Sequence, residues 1–299
     1  MHGHNHKQDH SHSHEHNHGH DYDWGALGDH LEREAELSVP AITRAAHWLR
    51  ELLSTDGGPA GVGRVLDVGS GPGVVTGLLA DTFPDAEVVA VDQAPALLAR
   101  AQARSAGRIT THRADLPGDF GTLGTADLIW SANAVHHLGD QQAALTALAA
   151  SLRPGGLLAI AERGLPPRFL PRDIGLGRPG LQARLDAAWE GGFADMRADL
   201  PDATEEVEDW PAMLTRAGLT LSGTRTFLTD WPAPLAPLAR EHLQAHVTRL
   251  RDRFGEYLDA GDRAALEALV DTDAPTGLLH RPDVFFLTAT TVFTARASS

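Results

Sequence analysis

Asp67, Asp92 and Asp115 stand at or near the ends of three strand-like runs, "RVLDV", "EVVAVD" and "RITTHRAD". After the first comes Gly69-Ser70-Gly71-Pro72-Gly73, three glycines in five positions. So little side chain lets a turn be tight and lets the backbone come close to a bound group. A helix opening directly behind it offers free N–H groups and the positive end of its dipole. Asp92 lies 19 positions beyond Gly73, with Gln93 next to it. A carboxylate there can accept hydrogen bonds from both hydroxyls of a ribose. Asp115 lies between Ala114 and Leu116, so it can take an adenine amino group while its neighbours cover the ring. Dinucleotide turns place their third glycine three positions after the second, and here that spacing falls on Thr76. The pattern therefore implies an adenosine derivative that needs no phosphate clamp.

A second group of residues has acid–base chemistry. His136 and His137 follow "ADLIWSANA", and Glu162 ends "LLAIAE". Imidazole and carboxylate are the usual carriers of general acid–base work. His242 and His246 share one face of a helical segment and could reach a site from above, though a solvated helix face is the better account of the pair. A third group is the opening "MHGHNHKQDHSHSHEHNHGH", which holds nine of the 17 histidines. His12, His14, His16, His18 and His20 alternate, so an extended chain would put them on one side. Neutral imidazole suits Zn, Ni and Cu. Purification tags are usually uninterrupted runs, whereas these histidines are interspersed, which favours a natural tail that binds divalent metal weakly.

These residues sit in a chain of 299 residues with 42% hydrophobic content, no cysteine and a net charge of −15. The length suits one large domain with appendages. Absence of cysteine excludes disulfides and thiolate metal sites and fits a cytoplasmic location. No apolar run reaches membrane-spanning length, and the histidine-rich start lacks a secretory apolar segment. Nucleic acid is disfavoured, because the acidic surface repels phosphate and no Lys/Arg cluster offsets it.

The elements that must position the chemistry alternate. Residues 25–37 and 39–54 read as two helices, with Ser38 as cap and Pro40 in the first turn of the second. Strands are expected at 64–68, 87–92, 108–115, 126–134 and 157–162. Helices are expected at 75–83, 95–105 and 140–152. This rhythm implies parallel βαβ units covered on both faces. A loop or lid follows Glu162. Helices are then expected near 180–190 and 205–217, a strand at 219–231, helical chain at 235–270 and a final strand at 283–297. The chain divides into a disordered tail (1–22), N-terminal helices (23–58), a ligand-binding core (59–163) and lid insertions with the last two strands (164–299).

With these residues in place, the chain resembles the class I S-adenosylmethionine-dependent methyltransferases. The resemblance is carried by "VLDVGSGPGVVTGLLA", "VVAVDQAPALLARAQA", "HRADLP", "ADLIWSANAVHHL" and "LRPGGLLAIAE", in that order across residues 60 to 163. It implies an α/β fold, a Rossmann-like seven-stranded, mostly parallel sheet with helices on both faces, the last strand antiparallel beside the sixth. It implies S-adenosyl-L-methionine as cofactor. Asp67, Gly69, Ser70, Gly71 and Gly73 would lie along its methionine portion, Asp92 and Gln93 at the ribose, and Ala114, Asp115 and Leu116 at the adenine. Asn133 would line the passage to the methyl group. "SANA" stands where amino-directed nucleic-acid methyltransferases carry Asn/Asp-Pro-Pro-aromatic, which points to a small-molecule acceptor. His136, His137 and Glu162 are the candidate catalytic residues. Trp24, Trp48, Trp189, Trp210, Trp231, Phe169 and Phe193 could wall the acceptor site. Monomer and homodimer both stay open. The alternatives are a Zn- or Ni-binding protein using the tail, and a nicotinamide-dependent oxidoreductase on a related fold.

Overall fold

The computed structural model describes residues 27–54 and 61–298. Seven strands form one sheet in the order β3-β2-β1-β4-β5-β7-β6. They are β1 (Arg64–Val68), β2 (Glu87–Asp92), β3 (Thr110–Arg113), β4 (Ala126–Ala132), β5 (Leu152–Arg168), β6 (Thr220–Trp231) and β7 (Phe286–Arg296). The first five pair parallel, and β7 runs antiparallel between β5 and β6. Helices α2 (Val74–Thr82), α3 (Pro95–Arg104) and α4 (Gln141–Ala150) supply the crossovers.

The apolar runs divide by residue parity, as a sheet buried on both faces requires. Val65, Ala90, Leu128, Trp130, Leu157 and Ala159 pack on one face with α2, α3 and α1 (Gly28–Leu53). Leu66, Val89, Val91, Ile129, Leu158 and Ile160 pack on the other with α4 and α6 (Trp210–Arg216). A third cluster joins α5 (Leu181–Ala198), α7 (Pro237–Phe254) and α8 (Ala260–Val270) to Phe169 and Phe286, beyond the end of β5.

Two expected boundaries are corrected. The two N-terminal helices are one: α1 runs through Ser38 and Pro40. A proline in a helix interior costs about 3 kcal/mol, but Ile42, Leu49 and Leu53 are buried on one stripe, and each such side chain returns roughly 1.5–3 kcal/mol. The stripe outweighs the break. The strand expected at 157–162 extends over Leu152–Arg168. Pro166 and Pro167 are tolerated because β4 ends opposite Ala161, while β7 follows β5 out to Arg168 through two register shifts.

Candidate active site

The glycine turn joins the end of β1 to α2, at the carboxyl edge of the parallel strands where open α/β sheets bind ligands. Gly69, Gly71 and Gly73 all have positive φ, 76°, 54° and 78°. The two ends of the turn are packed: a Cβ on Gly69 would collide with Ala134, and one on Gly73 with Ala101 of α3. The middle is open, since a Cβ on Gly71 would meet nothing within 4 Å. Ser70 Oγ is buried and has no hydrogen-bond partner among the described residues.

Carboxylates flank this opening. Asp67 is buried and accepts a hydrogen bond from Thr76 Oγ1 at 2.5 Å. Burial, with the nearby Asp92 charge, pushes its carboxyl up to about 7, against the Thr76 bond. Asp92, at the end of β2, accepts from the N–H of Gly71 and of Ala94, both at 2.9 Å. Burial raises its pKa, and the N–H groups of Ala94, Gly71 and Gln93 oppose that rise. Gln93 is exposed, and its carbonyl accepts from Arg113 Nε at 3.3 Å. Ala114 is buried, Leu116 is half-buried against the second core cluster, and the exposed Asp115 donates its N–H to Asp119 at 2.8 Å. Asn133 follows β4 with φ 49° and is exposed.

The catalytic candidates from β4 and β5 meet. His136 lies in the 3-10 turn Val135–His137, and Glu162 lies in β5. Both are buried, and His136 Nδ1 is 2.8 Å from Glu162 Oε2. A carboxylate accepts, so Nδ1 carries the hydrogen in this contact, and in the neutral form of the ring the lone pair is then on Nε2. Nε2 has no hydrogen-bond partner among the described residues. His137 is half-buried, its ring centroid 4.3 Å from that of His136. Phe193 of α5 meets His136 edge-on at 5.4 Å.

His242 and His246 are not on a solvated face. His242 is 2% exposed and stacks on His30 of α1 at 4.8 Å, and Trp189 and Phe169 pack on His246. Burial pushes His242 down to about 3 and His246 down to about 4. Trp210 and Phe169 are core residues, Trp48 packs on the first core cluster and Trp231 is partly exposed. Trp24 and the tail histidines His12, His14, His16, His18 and His20 lie outside the described residues. Among the described residues, no three histidine, aspartate or glutamate side chains are placed to hold a metal ion. Among the same residues no helix is long and apolar enough to cross a membrane.

Sequence reasoning missed Thr76 as the partner of Asp67, although a hydroxyl nine positions on, one turn into the next helix, was visible. It also missed Arg197, whose side chain reaches the His136 turn from 61 positions away. Nothing local marks such a contact.

Residues 65–156 match the family described as a methyltransferase domain. The chain is 33% identical over 166 residues to a trans-aconitate 2-methyltransferase of Methylobacterium nodulans, covering 54% of this chain and 60% of that protein. It is 36% identical over 111 residues to a malonyl-[acyl-carrier protein] O-methyltransferase of Laribacter hongkongensis, covering 34% and 37%. The chain spans about half the length of the curated relatives it matches. In fold it is similar, with a TM-score of 0.50 and 15% identity, to a chain in the complex between the Haloferax volcanii Trm112 methyltransferase activator and a candidate methyltransferase, covering 93% of this chain and 98% of that one. Strand order and family match agree: residues 65–156 match a methyltransferase domain on a mostly parallel seven-stranded sheet.

Proposed function

We propose that this chain transfers a methyl group from S-adenosylmethionine to a small-molecule acceptor. The observation that carries this reading is the turn at residues 69–73, packed at both ends, open at Gly71 and flanked by Asp67 and Asp92. The open backbone at Gly71, the unpartnered Ser70 hydroxyl and a carboxylate at the end of β2 fit an adenosine-bearing cofactor. In this reading the turn and Asp67 hold the methionine portion, Asp92 and Gln93 the ribose, and Ala114, Asp115 and Leu116 the adenine. Bound there, the cofactor supplies an electrophilic methyl on a sulfonium.

The chain's own part is alignment, exclusion of water and removal of a proton. Asn133 lines the passage from β4. Glu162 holds His136 by Nδ1, which leaves Nε2 to accept a proton from a hydroxyl acceptor. His30 of α1 and Trp189 of α5 pack on α7, and Phe193 of α5 meets the His136 ring, so in this reading these helices serve as the cover. A small acceptor is supported by the relatives named for trans-aconitate, while another is named for a malonyl group carried on acyl-carrier protein. The tail histidines His12 to His20 would hold Zn²⁺ or Ni²⁺ apart from this reaction.

The test uses S-adenosylmethionine labelled in the methyl group and a panel of small acceptors, trans-aconitate included. Transfer of label to one class of acceptor supports the reading. Absence of binding to S-adenosylhomocysteine by calorimetry would overturn it. With the acceptor in hand, His136→Ala is expected to lose at least about tenfold in kcat, within the usual range for a lost acid or base. His137→Ala should keep most of its turnover, since its ring is not the one bonded to Glu162.

A further inference from the structure

The turn that carries His136 is held from outside the sheet. Arg197, in the last turn of α5, donates from Nη1 to the carbonyl oxygens of His136 at 2.8 Å and Leu138 at 2.6 Å. Its Nη2 reaches the carbonyl of Gly139 at 3.3 Å. Its charge also lies within the field of Glu162. The segment after α5 closes on the same turn: Thr204 donates its N–H to the Gly139 carbonyl at 3.2 Å. A Cβ on Gly139 would overlap the Pro201 carbonyl, so only glycine allows this backbone-on-backbone approach. One helical turn before Arg197, Phe193 of the same helix braces the His136 ring. Three independent contacts from residues 193–204 thus converge on four residues, 136–139.

We propose that Arg197 is a positioning residue, fixing the turn so that His136 keeps Nδ1 on Glu162 and presents Nε2 to the acceptor. The inference rests on the reading of His136 as the group that meets the acceptor. A planar guanidinium presents its donors to the three carbonyls in a fixed fork, whereas an ammonium offers three donors from a single point on a flexible stem and holds the turn less rigidly. A side chain that only held the fold would leave the His136 ring in place when removed. One that positions the base would release it.

The experiment is side-chain ¹⁵N NMR on the full chain, with His136→Asn identifying the His136 signals. The wild type is expected to show a neutral His136 with hydrogen on Nδ1 and a downfield Nδ1–H proton. In Arg197→Met that proton should broaden or vanish and the two ring nitrogens should move toward tautomer averaging. Arg197→Lys should fall between the two. S-adenosylhomocysteine affinity in Arg197→Met should stay within about twofold, since Arg197 bonds to residues 136, 138 and 139 and to none of those proposed to hold the cofactor. An unchanged His136 signature in Arg197→Met or Arg197→Lys would overturn the proposal, as would a signature lost only together with ligand binding and cooperative melting. A wild-type His136 that is protonated at neutral pH, or carries its hydrogen on Nε2, would instead overturn the base reading itself.

Discussion

Asp92 does two jobs on one carboxylate. It closes the glycine turn through the N–H of Gly71 and that of Ala94, and the proposed function asks it to take a ribose as well. Asp92→Ala would confuse the two, because it leaves buried donors unpaired. Asp92→Asn keeps the shape and one acceptor and removes the charge. It is expected to weaken S-adenosylhomocysteine binding by roughly 1.5–3 kcal/mol, the scale of hydrogen bonds to a charged group, as read by calorimetry. Asp67 poses a different test. Its folded pKa, raised to about 7, means that between its ordinary range and pH 7 the folded state binds more protons than the unfolded one. Stability therefore falls as pH rises through that window. Asp67→Asn, which does not titrate, should gain in melting temperature over the wild type as pH goes from 5 to 8. A pH-independent difference between the two proteins would show that the burial of Asp67 is not felt as charge.

At the scale of elements, the sheet was legible and the helices around it only in part. β1, β2 and β4 are apolar on both faces, and a run of that kind bounded by glycine or an acid has few other readings. α1 was misread because Ser38 and Pro40 carry the local marks of a helix start, while the stripe from Ala41 to Leu53 acts over longer range. The helical pair His242 and His246 looked solvated because their partners, His30 and Glu34, come from the far end of the chain. That cluster predicts a pH response of the opposite sign to that of Asp67. His242 and His246 face His30 and Glu34 of α1, Arg249 of α7 and the rings of Trp189, Phe169 and Phe286. With folded pKa values near 3 and 4, the unfolded state takes up protons first as pH drops below about 6.5, the ordinary histidine value. Stability is present above that value and is lost as pH falls toward 4. His242→Leu should flatten this decline in denaturant titrations at pH 4.5 to 7, and an unchanged slope would count against the burial of neutral rings between α1 and α7.

At the scale of the whole molecule, the candidate site draws on widely separated parts of the chain. The glycine turn, Asp92 and residues 114–116 lie within about fifty residues and could be read as one ordered set. The link between Arg197 and His136 depends on where α5 lands, which no local pattern encodes. The acidic balance of −15 was legible, as was the histidine-rich opening. Residues 2–20 have almost nothing apolar to bury, so deleting them is expected to leave melting nearly unchanged. The same deletion should abolish most Zn²⁺ or Ni²⁺ binding measured by equilibrium dialysis. Loss of S-adenosylhomocysteine binding in the shortened, metal-free protein would mean that the opening segment belongs to the site after all.

The place of β7 bears on how the protein is made. Among the described residues β6 has β7 as its only sheet neighbour, and β7 is also what joins it to β5. On the ribosome, residues 220–231 emerge more than fifty residues before 286–296. Until then β6 exposes both of its edges, with Leu221, Leu228 and Trp231 still partly exposed even in the finished fold. The nascent chain thus spends several seconds, at about 5–20 residues per second, with a twelve-residue strand awaiting its mate. Unpaired edges of that kind recruit other chains. Translation speed through the α7–α8 stretch and the supply of holdase chaperones should therefore decide the yield of soluble protein more than the stability of the finished molecule does.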